Sequence, residues 1–191
     1  MNKFAEFAGI VASDGHLSKD MSTICIINKD SEFIEYAENL CCEVIGKKPS
    51  KRIVLSGYGH EKYLLRVCST KTLRLLNEKF NIPIGAESIQ PPKKLEADEE
   101  ISYLLGWIAG DGSVTNDRTR LKLEIWSKSK DMIEWFSKLM EVHGIETRIF
   151  QERKKNEYIM RIGKKKDVKK FAENFKIPHS KKQKKLMVLF S

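Results

Sequence analysis

The segment Phe7-Ala8-Gly9-Ile10-Val11-Ala12-Ser13-Asp14-Gly15 recurs as Leu104-Leu105-Gly106-Trp107-Ile108-Ala109-Gly110-Asp111-Gly112. No other feature limits the fold as much. Each copy is apolar, rich in small residues, and closed by Asp-Gly. Ala5, Gly9 and Ser13 lie four apart, and so do Gly106 and Gly110, which puts them on one helix face where two backbones can approach closely. The spacing predicts two such helices side by side across a pseudo-twofold axis. Asp14 and Asp111 then meet at one end of the pair.

The duplication runs through nearly the whole chain of 191 residues. Ile27-Asn28-Lys29-Asp30-Ser31-Glu32-Phe33-Ile34-Glu35-Tyr36 aligns with Trp126-Ser127-Lys128-Ser129-Lys130-Asp131-Met132-Ile133-Glu134-Trp135. Tyr63-Leu64-Leu65-Arg66-Val67 matches Tyr158-Ile159-Met160-Arg161-Ile162, and Phe80-Asn81-Ile82-Pro83 matches Phe175-Lys176-Ile177-Pro178. Matches in the same order, with an offset that drifts by a few residues, mark a tandem repeat with small loop insertions.

Within each half the periodicities follow one order. Short apolar helices are predicted over 4–13 and 101–110, then a β-branched run at 22–27 and an alternating one at 120–126. Amphipathic helices start at Ser31 and Ser129 and stop at Gly46 and Gly144. A hairpin follows in each half, 52–56 with 63–67 around Gly57-Tyr58-Gly59, and 147–151 with 157–162. Last helices lie near 70–80 and 165–175. The fold class is therefore α+β, two αββαββα halves each with a four-stranded antiparallel sheet. The expected division is an N-terminal half over 1–90, a Pro- and charge-rich linker over 91–100, and a C-terminal half over 101–191.

Composition narrows the function classes. The net charge is +9, and both halves are basic, which suits a polyanionic partner. No apolar run reaches the roughly 20 residues that span a bilayer, and Glu6 and Asp14 interrupt any signal-peptide core. The expected location is intracellular, in a prokaryotic cytoplasm or an organelle, with no membrane partner. Cys25, Cys41, Cys42 and Cys68 form no Cys-x-x-Cys pair and have no His at zinc spacing, so they read as reduced thiols.

Both Asp-Gly stretches resemble the motif of the LAGLIDADG homing endonucleases, and the repeat extends the resemblance over essentially the whole chain. Phe7 stands for the opening Leu, Leu105 for the small second residue, and Ala12 and Ala109 fill the sixth position. The eighth position, which carries the family's metal-binding acid, is Asp14 and Asp111. Two motifs in one chain imply the single-chain, monomeric, pseudo-symmetric branch, with the two sheets forming a DNA-binding saddle. The implied activity is a site-specific cut in both strands of a long duplex DNA target, leaving short 3′ overhangs. Mg²⁺ is the implied cofactor, with Mn²⁺ as a substitute. The backbone carbonyl at Ser13 is left open as a metal ligand. An intron-carried gene is implied rather than an intein, because the chain begins with Met and shows no splicing-domain sequence. The alternative on the same fold is an RNA-binding intron maturase or a DNA binder that does not cut.

Two carboxylates at a groove floor can hold Mg²⁺ ions that share phosphate oxygens. Asn28-Lys29 and Ser127-Lys128 resemble the family's polar-plus-Lys pair near each scissile phosphate. Lys29 and Lys128 are assigned to phosphate or water contacts, with Asn28 and Ser127 in support. The exposed sheet faces supply the candidate DNA contacts: Lys51, Arg52, Tyr58, Lys62 and Arg66 in the first half, and Arg118, Arg120, Lys122, Arg148, Gln151, Arg153 and Arg161 in the second. The Lys181–Lys185 run reads as a backbone-phosphate contact or a solvated tail.

Overall fold

Helix α1 (Lys3–Asp14) starts where Asn2 accepts a hydrogen bond from the Ala5 N–H at 3.0 Å, and α4 (Ala97–Asp111) starts in a capping box between Glu96 and Glu99. The two helices cross in backbone contact. A β-carbon on Gly9 would sit 2.0 Å from the Tyr103 carbonyl oxygen, and one on Gly106 would sit 2.1 Å from that of Glu6. No side chain fits at either position, which is why both copies keep glycine there. The pairing advances along both chains together, so the helices run parallel and their aspartates end side by side. Their flanks bury Phe7, Ile10, Val11, Leu104, Trp107 and Ile108 in a core shared by both halves.

The structure is a computed structural model that describes residues 1–55, 57, 59–85, 88–116 and 121–188. In the first half, β1 (Gly15–Leu17), β2 (Thr23–Asn28), α2 (Ser31–Ile45), β3 (Ser50–Leu55), β4 (Glu61–Cys68) and α3 (Thr70–Phe80) follow α1. In the second, β5 (Ser113–Asn116), β6 (Leu121–Ser127), α5 (Lys130–Val142), β7 (Arg148–Glu152), β8 (Glu157–Ile162) and α6 (Lys165–Asn174) follow α4, and α7 (Ser180–Met187) comes last. The two sheets have the same antiparallel order, β1-β2-β4-β3 and β5-β6-β8-β7. The α+β, two-sheet fold is as the repeat implies.

Three details differ from the sequence expectation. Helix α4 begins at Ala97 rather than 101, because the capping box adds a polar first turn that apolar periodicity does not mark. Strands β1 and β5 are too short for a period-two pattern and exist through their ladders to β2 and β6. The lysine run is not a free tail: it forms α7, which has no counterpart among the described residues of the first half. Helix α7 buries Leu186, receives a hydrogen bond on Lys185 from Asn116 of β5, and reaches across to α2. There Ser180 donates to Glu32 at 2.6 Å, Lys181 pairs with Asp30 at 2.6 Å, and the His179 ring, just before α7, stacks on Phe33 at 5.1 Å. An element of the second half thus straps the first. The four cysteines are free, two of them buried.

Candidate functional site

Asp14 and Asp111 are the last residues of α1 and α4, at the negative ends of both helix dipoles, and neither helix has a basic residue in its last turn. Local helix stability therefore argues against an acid at either position. Placing both there, against each other and at the expense of local helix stability, marks the pair as the candidate site. The ends abut closely: a β-carbon on Gly110 would lie 2.1 Å from the Ser13 hydroxyl oxygen and 2.9 Å from Asp14 Oδ2.

The two acids have different surroundings. Asn28, at the end of β2, donates from Nδ2 to Asp14 Oδ2 at 2.6 Å, while its own carbonyl oxygen accepts from the Asp30 N–H at 2.8 Å. That second bond fixes the amide orientation. Burial raises the Asp14 pKa, opposed by the Asn28 hydrogen bond and by the charges of Lys182 and Lys62. Asp111 is exposed and lines an open pocket, and no side chain among the described residues donates to it. Its pKa is pushed up to about 7, first by the protein packed around the carboxyl, then by the Asp14 charge, with Glu157 adding to the rise and Lys182 opposing it. Ser127, the counterpart of Asn28, keeps the turn-fixing bond from the Ser129 N–H at 3.1 Å but is too short to engage Asp111 as Asn28 engages Asp14. It lines an open pocket with Asp111, Lys128, Trp126, Lys155 and Glu157.

Lys29 and Lys128 are both exposed in turns, and neither is among the charges that act on the two acids. Lys128 shares the Asp111 pocket and a neighbouring one with Gly15 and His16. The cation that does act on both acids is Lys182 of α7. Its ammonium donates to the carbonyls of Ile108, Ala109 and Gly110 at 2.9, 2.7 and 2.6 Å, capping the end of α4. Burial lowers its pKa to about 8 in spite of Asp14, Asp111 and Asp30, which pull the other way. The sequence signal for Lys182 is hidden inside a run of similar lysines.

Register decides which basic residues face away from the helices. Arg52, Lys62 and Arg66 share that face of the first sheet, through the pairs Arg52↔Leu64, Val54↔Lys62 and Cys25↔Arg66. His16, opposite Cys25, joins them and was not expected. Lys51 was expected there and is not: it pairs with Leu65 on the opposite face and forms a salt bridge with Glu38 of α2 at 2.9 Å. In the second sheet, Lys122, Arg148 and Arg161 share the outward face, by the pairs Ser113↔Glu124, Glu124↔Arg161 and Arg148↔Arg161. Gln151 is likewise on the helix side, opposite Tyr158, whose neighbours in register are core residues. Alternation of two residues in an edge strand sends every second side chain the wrong way, and the sequence does not fix which. Glu124 is an unforeseen acid on the outward face, buried and paired with Lys122 at 2.8 Å and Arg161 at 2.6 Å. Arg161 also lies over the Phe150 ring at 4.5 Å. Arg153 is exposed in the β7–β8 turn, and Tyr58, Arg118 and Arg120 lie outside the described residues.

Among the described residues the electron-pair donors at the paired acids are carboxylate oxygens, with Glu157 lining the Asp111 pocket, while the α4 carbonyls of Ile108, Ala109 and Gly110 are taken by Lys182. No cluster of three or more His, Cys, Asp or Glu occurs among the described residues. Two carboxylates suit a hard divalent ion that keeps waters and takes phosphate oxygens. No helix among the described residues is long and apolar enough to cross a membrane.

Residues 98–176 match the LAGLIDADG-like domain. In sequence, the chain is 34% identical over 97 residues to an uncharacterized protein of Methanocaldococcus jannaschii, a match that covers 46% of this chain and 36% of that protein. The chain thus spans about a third of that relative's length. In structure, it resembles the homing endonuclease I-DmoI in complex with DNA and Ca, with a TM-score of 0.61 and 20% identity, over 90% of this chain and 87% of that one. Full-length DUF199/WhiA from Thermatoga maritima gives a TM-score of 0.69 at 17% identity, over 99% of this chain and 60% of that one. The chain is a two-motif protein of the LAGLIDADG fold. That fold carries both a homing endonuclease and WhiA, so the activity has to be argued from the site.

Proposed function

We propose that the protein is a site-specific DNA endonuclease of the intron-encoded homing type, which hydrolyses both strands of a long duplex target with Mg²⁺ and leaves short 3′ overhangs. One observation carries this: two carboxylates converge at the negative ends of paired helices, where folding alone disfavours them. Asp14 and Asp111 would hold the divalent ions. When bound, the metals would polarise the scissile phosphates, activate water and stabilise the leaving 3′ oxygens. Asn28 fixes the Asp14 carboxylate by its 2.6 Å hydrogen bond. Ser127 supports the second turn, and Lys29 and Lys128 contact phosphate or positioned water. Arg52, Lys62, Arg66, Lys122, Arg148 and Arg161 read or clamp the duplex from the two sheets, with Arg153 at a turn. Residues 1–90 and 101–191 act as one monomer's two half-site readers, joined by 91–100. I-DmoI structures with target DNA and Mg or Mn support the choice of duplex DNA and divalent ions.

The test is cleavage selection from a randomised duplex library with Mg²⁺, with Ca²⁺ as the binding control. Selected sequences cut in both strands support the proposal; a chain that enriches duplexes with Ca²⁺ but never cuts them with Mg²⁺ or Mn²⁺ contradicts it. The second reading is a nucleic-acid binder without cleavage, including an intron maturase, on the fold shared with WhiA. Competition of intron RNA against duplex DNA in gel shift separates it from the first.

A further inference from the structure

The least expected group beside the paired acids is a cation that belongs to neither motif. Lys182 is carried in from α7, past the end of the repeated unit, and is half-buried at the end of α4. Its ammonium takes three carbonyls, including that of Gly110, the position matched with Ser13 in the first motif. The same ammonium is one of the charges acting on Asp14 and on Asp111. Among the described residues no lysine or arginine side chain is seen hydrogen-bonded to the carbonyls at the end of α1, which also lacks a basic residue in its last turn. The helix that delivers Lys182 is held in place independently, by Lys181 on Asp30, Ser180 on Glu32 and buried Leu186. Three carbonyl oxygens and two nearby carboxylates form an environment for a cation, and in this chain a side chain supplies one.

We propose that Lys182 is a positioning residue that serves as an internal counterion to the paired acids, steadying the end of α4 and holding down divalent-ion affinity until DNA phosphates add their charge. This deepens the two-acid metal reading above and rests on it. A fixed positive charge close to both carboxylates repels a divalent ion, so DNA-free protein binds metal weakly. A bound duplex brings phosphate oxygens that outweigh one ammonium, and metal loading becomes coupled to target binding. An uncharged cap on α4 would have no such effect on metal affinity.

The test is calorimetric titration of Ca²⁺ into the full-length, DNA-free chain at neutral pH, for wild type, Lys182→Gln and Lys182→Arg, with circular dichroism as a check on folding. Gln removes the charge while keeping a polar donor on a side chain one bond shorter, and Arg keeps the charge. The Gln variant is expected to bind Ca²⁺ about tenfold tighter than wild type, and Arg to match wild type. Duplex DNA should tighten Ca²⁺ binding more in wild type than in the Gln variant. Equal or weaker Ca²⁺ binding by a folded Gln variant overturns the assignment of Lys182 and leaves the two acids untouched. Wild type that binds no Ca²⁺ with or without duplex overturns the metal reading itself. The wild-type chain gives a reading without substitution: the ¹³Cε resonance of Lys182 should move on Ca²⁺ addition, and an unmoved resonance at saturating Ca²⁺ counts against the proposal.

Discussion

The two halves share a sheet order and a helix-end acid, yet they treat that acid differently. Asp14 is held by Asn28 and has Lys62 nearby. Asp111 has the shorter Ser127 in place of Asn28, and Glu157 in place of Lys62, since Tyr63 and Tyr158 align in the repeat. Backbone geometry has been conserved between the halves while their charge has not. Both carboxyls are raised by burial, but Asp111 is pushed up to about 7 with the Asp14 charge adding to the rise, whereas the Asn28 hydrogen bond opposes the rise at Asp14. A duplicated fold sets where the acids stand; the residues around each one set its protonation.

The largest effect should come from the acids themselves. Asp14→Asn or Asp111→Asn is expected to reduce double-strand cleavage by at least about 10³-fold, the scale of losing a metal's charge stabilisation, with DNA binding spared. Strand-resolved nicking assays check it, and they also test the comparison: a variant that still cuts both strands would show that its half is dispensable.

The next effect separates the helpers. Asn28→Ala removes the partner of a half-buried carboxylate and should slow cleavage about tenfold, in line with roughly 1–3 kcal/mol for an unpaired buried group. Ser127→Ala should change the rate by less than about threefold, because its hydroxyl serves its own turn. Single-turnover rates on a selected target measure both. Ser127→Asn sharpens the comparison, since it offers Asp111 the partner that Asp14 already has.

Stability should respond to pH through the same asymmetry. The folded pKa of Asp111, about 7, lies above its ordinary value of 3.8. Between those limits the folded chain keeps a proton that the unfolded chain has lost, so this group's contribution to stability falls as pH rises. Its cost is complete above about pH 7 and is relieved toward pH 4. Asp111→Asn should therefore raise the Tm of metal-free protein by about 2–4 °C above neutral pH, a figure kept small because the side chain opens to solvent, and by nothing at pH 4. Calorimetric melts at the two pH values decide this.

The smallest effects map the sheet faces. Arg66→Ala and Arg161→Ala should each reduce the salt dependence of DNA affinity by about one phosphate contact. Lys51→Ala and Gln151→Ala should leave it unchanged, since both side chains lie on the helix side. Gel-shift titrations across a salt series test all four.

Much of this was legible in the sequence, and the misses have physical causes. The repeat and its glycines give the crossing helices, because backbone contact admits no other residue at Gly9 and Gly106. The matched Asp-Gly endings place Asp14 and Asp111 at the ends of the paired helices, and Asn28, singled out beside them, donates to Asp14. Lys51 and Gln151 were misplaced because a one-residue change of register in an edge strand reverses its faces. Glu124 passed as an ordinary alternating residue, although its burial beside Lys122 and Arg161 makes it an anchor for both. Lys182 could not be singled out among five clustered positions, because only the docking of α7 turns that one lysine inward.

The central claim is that Asp14 and Asp111 form one metal-dependent cutting centre. Its most direct test is the Asp14→Asn, Asp111→Asn double variant on a duplex recovered by selection with wild type, with Mg²⁺ for cleavage and Ca²⁺ for binding. The account predicts binding near wild-type strength and no cut in either strand. Cleavage of that duplex by the double variant with Mg²⁺ would contradict it.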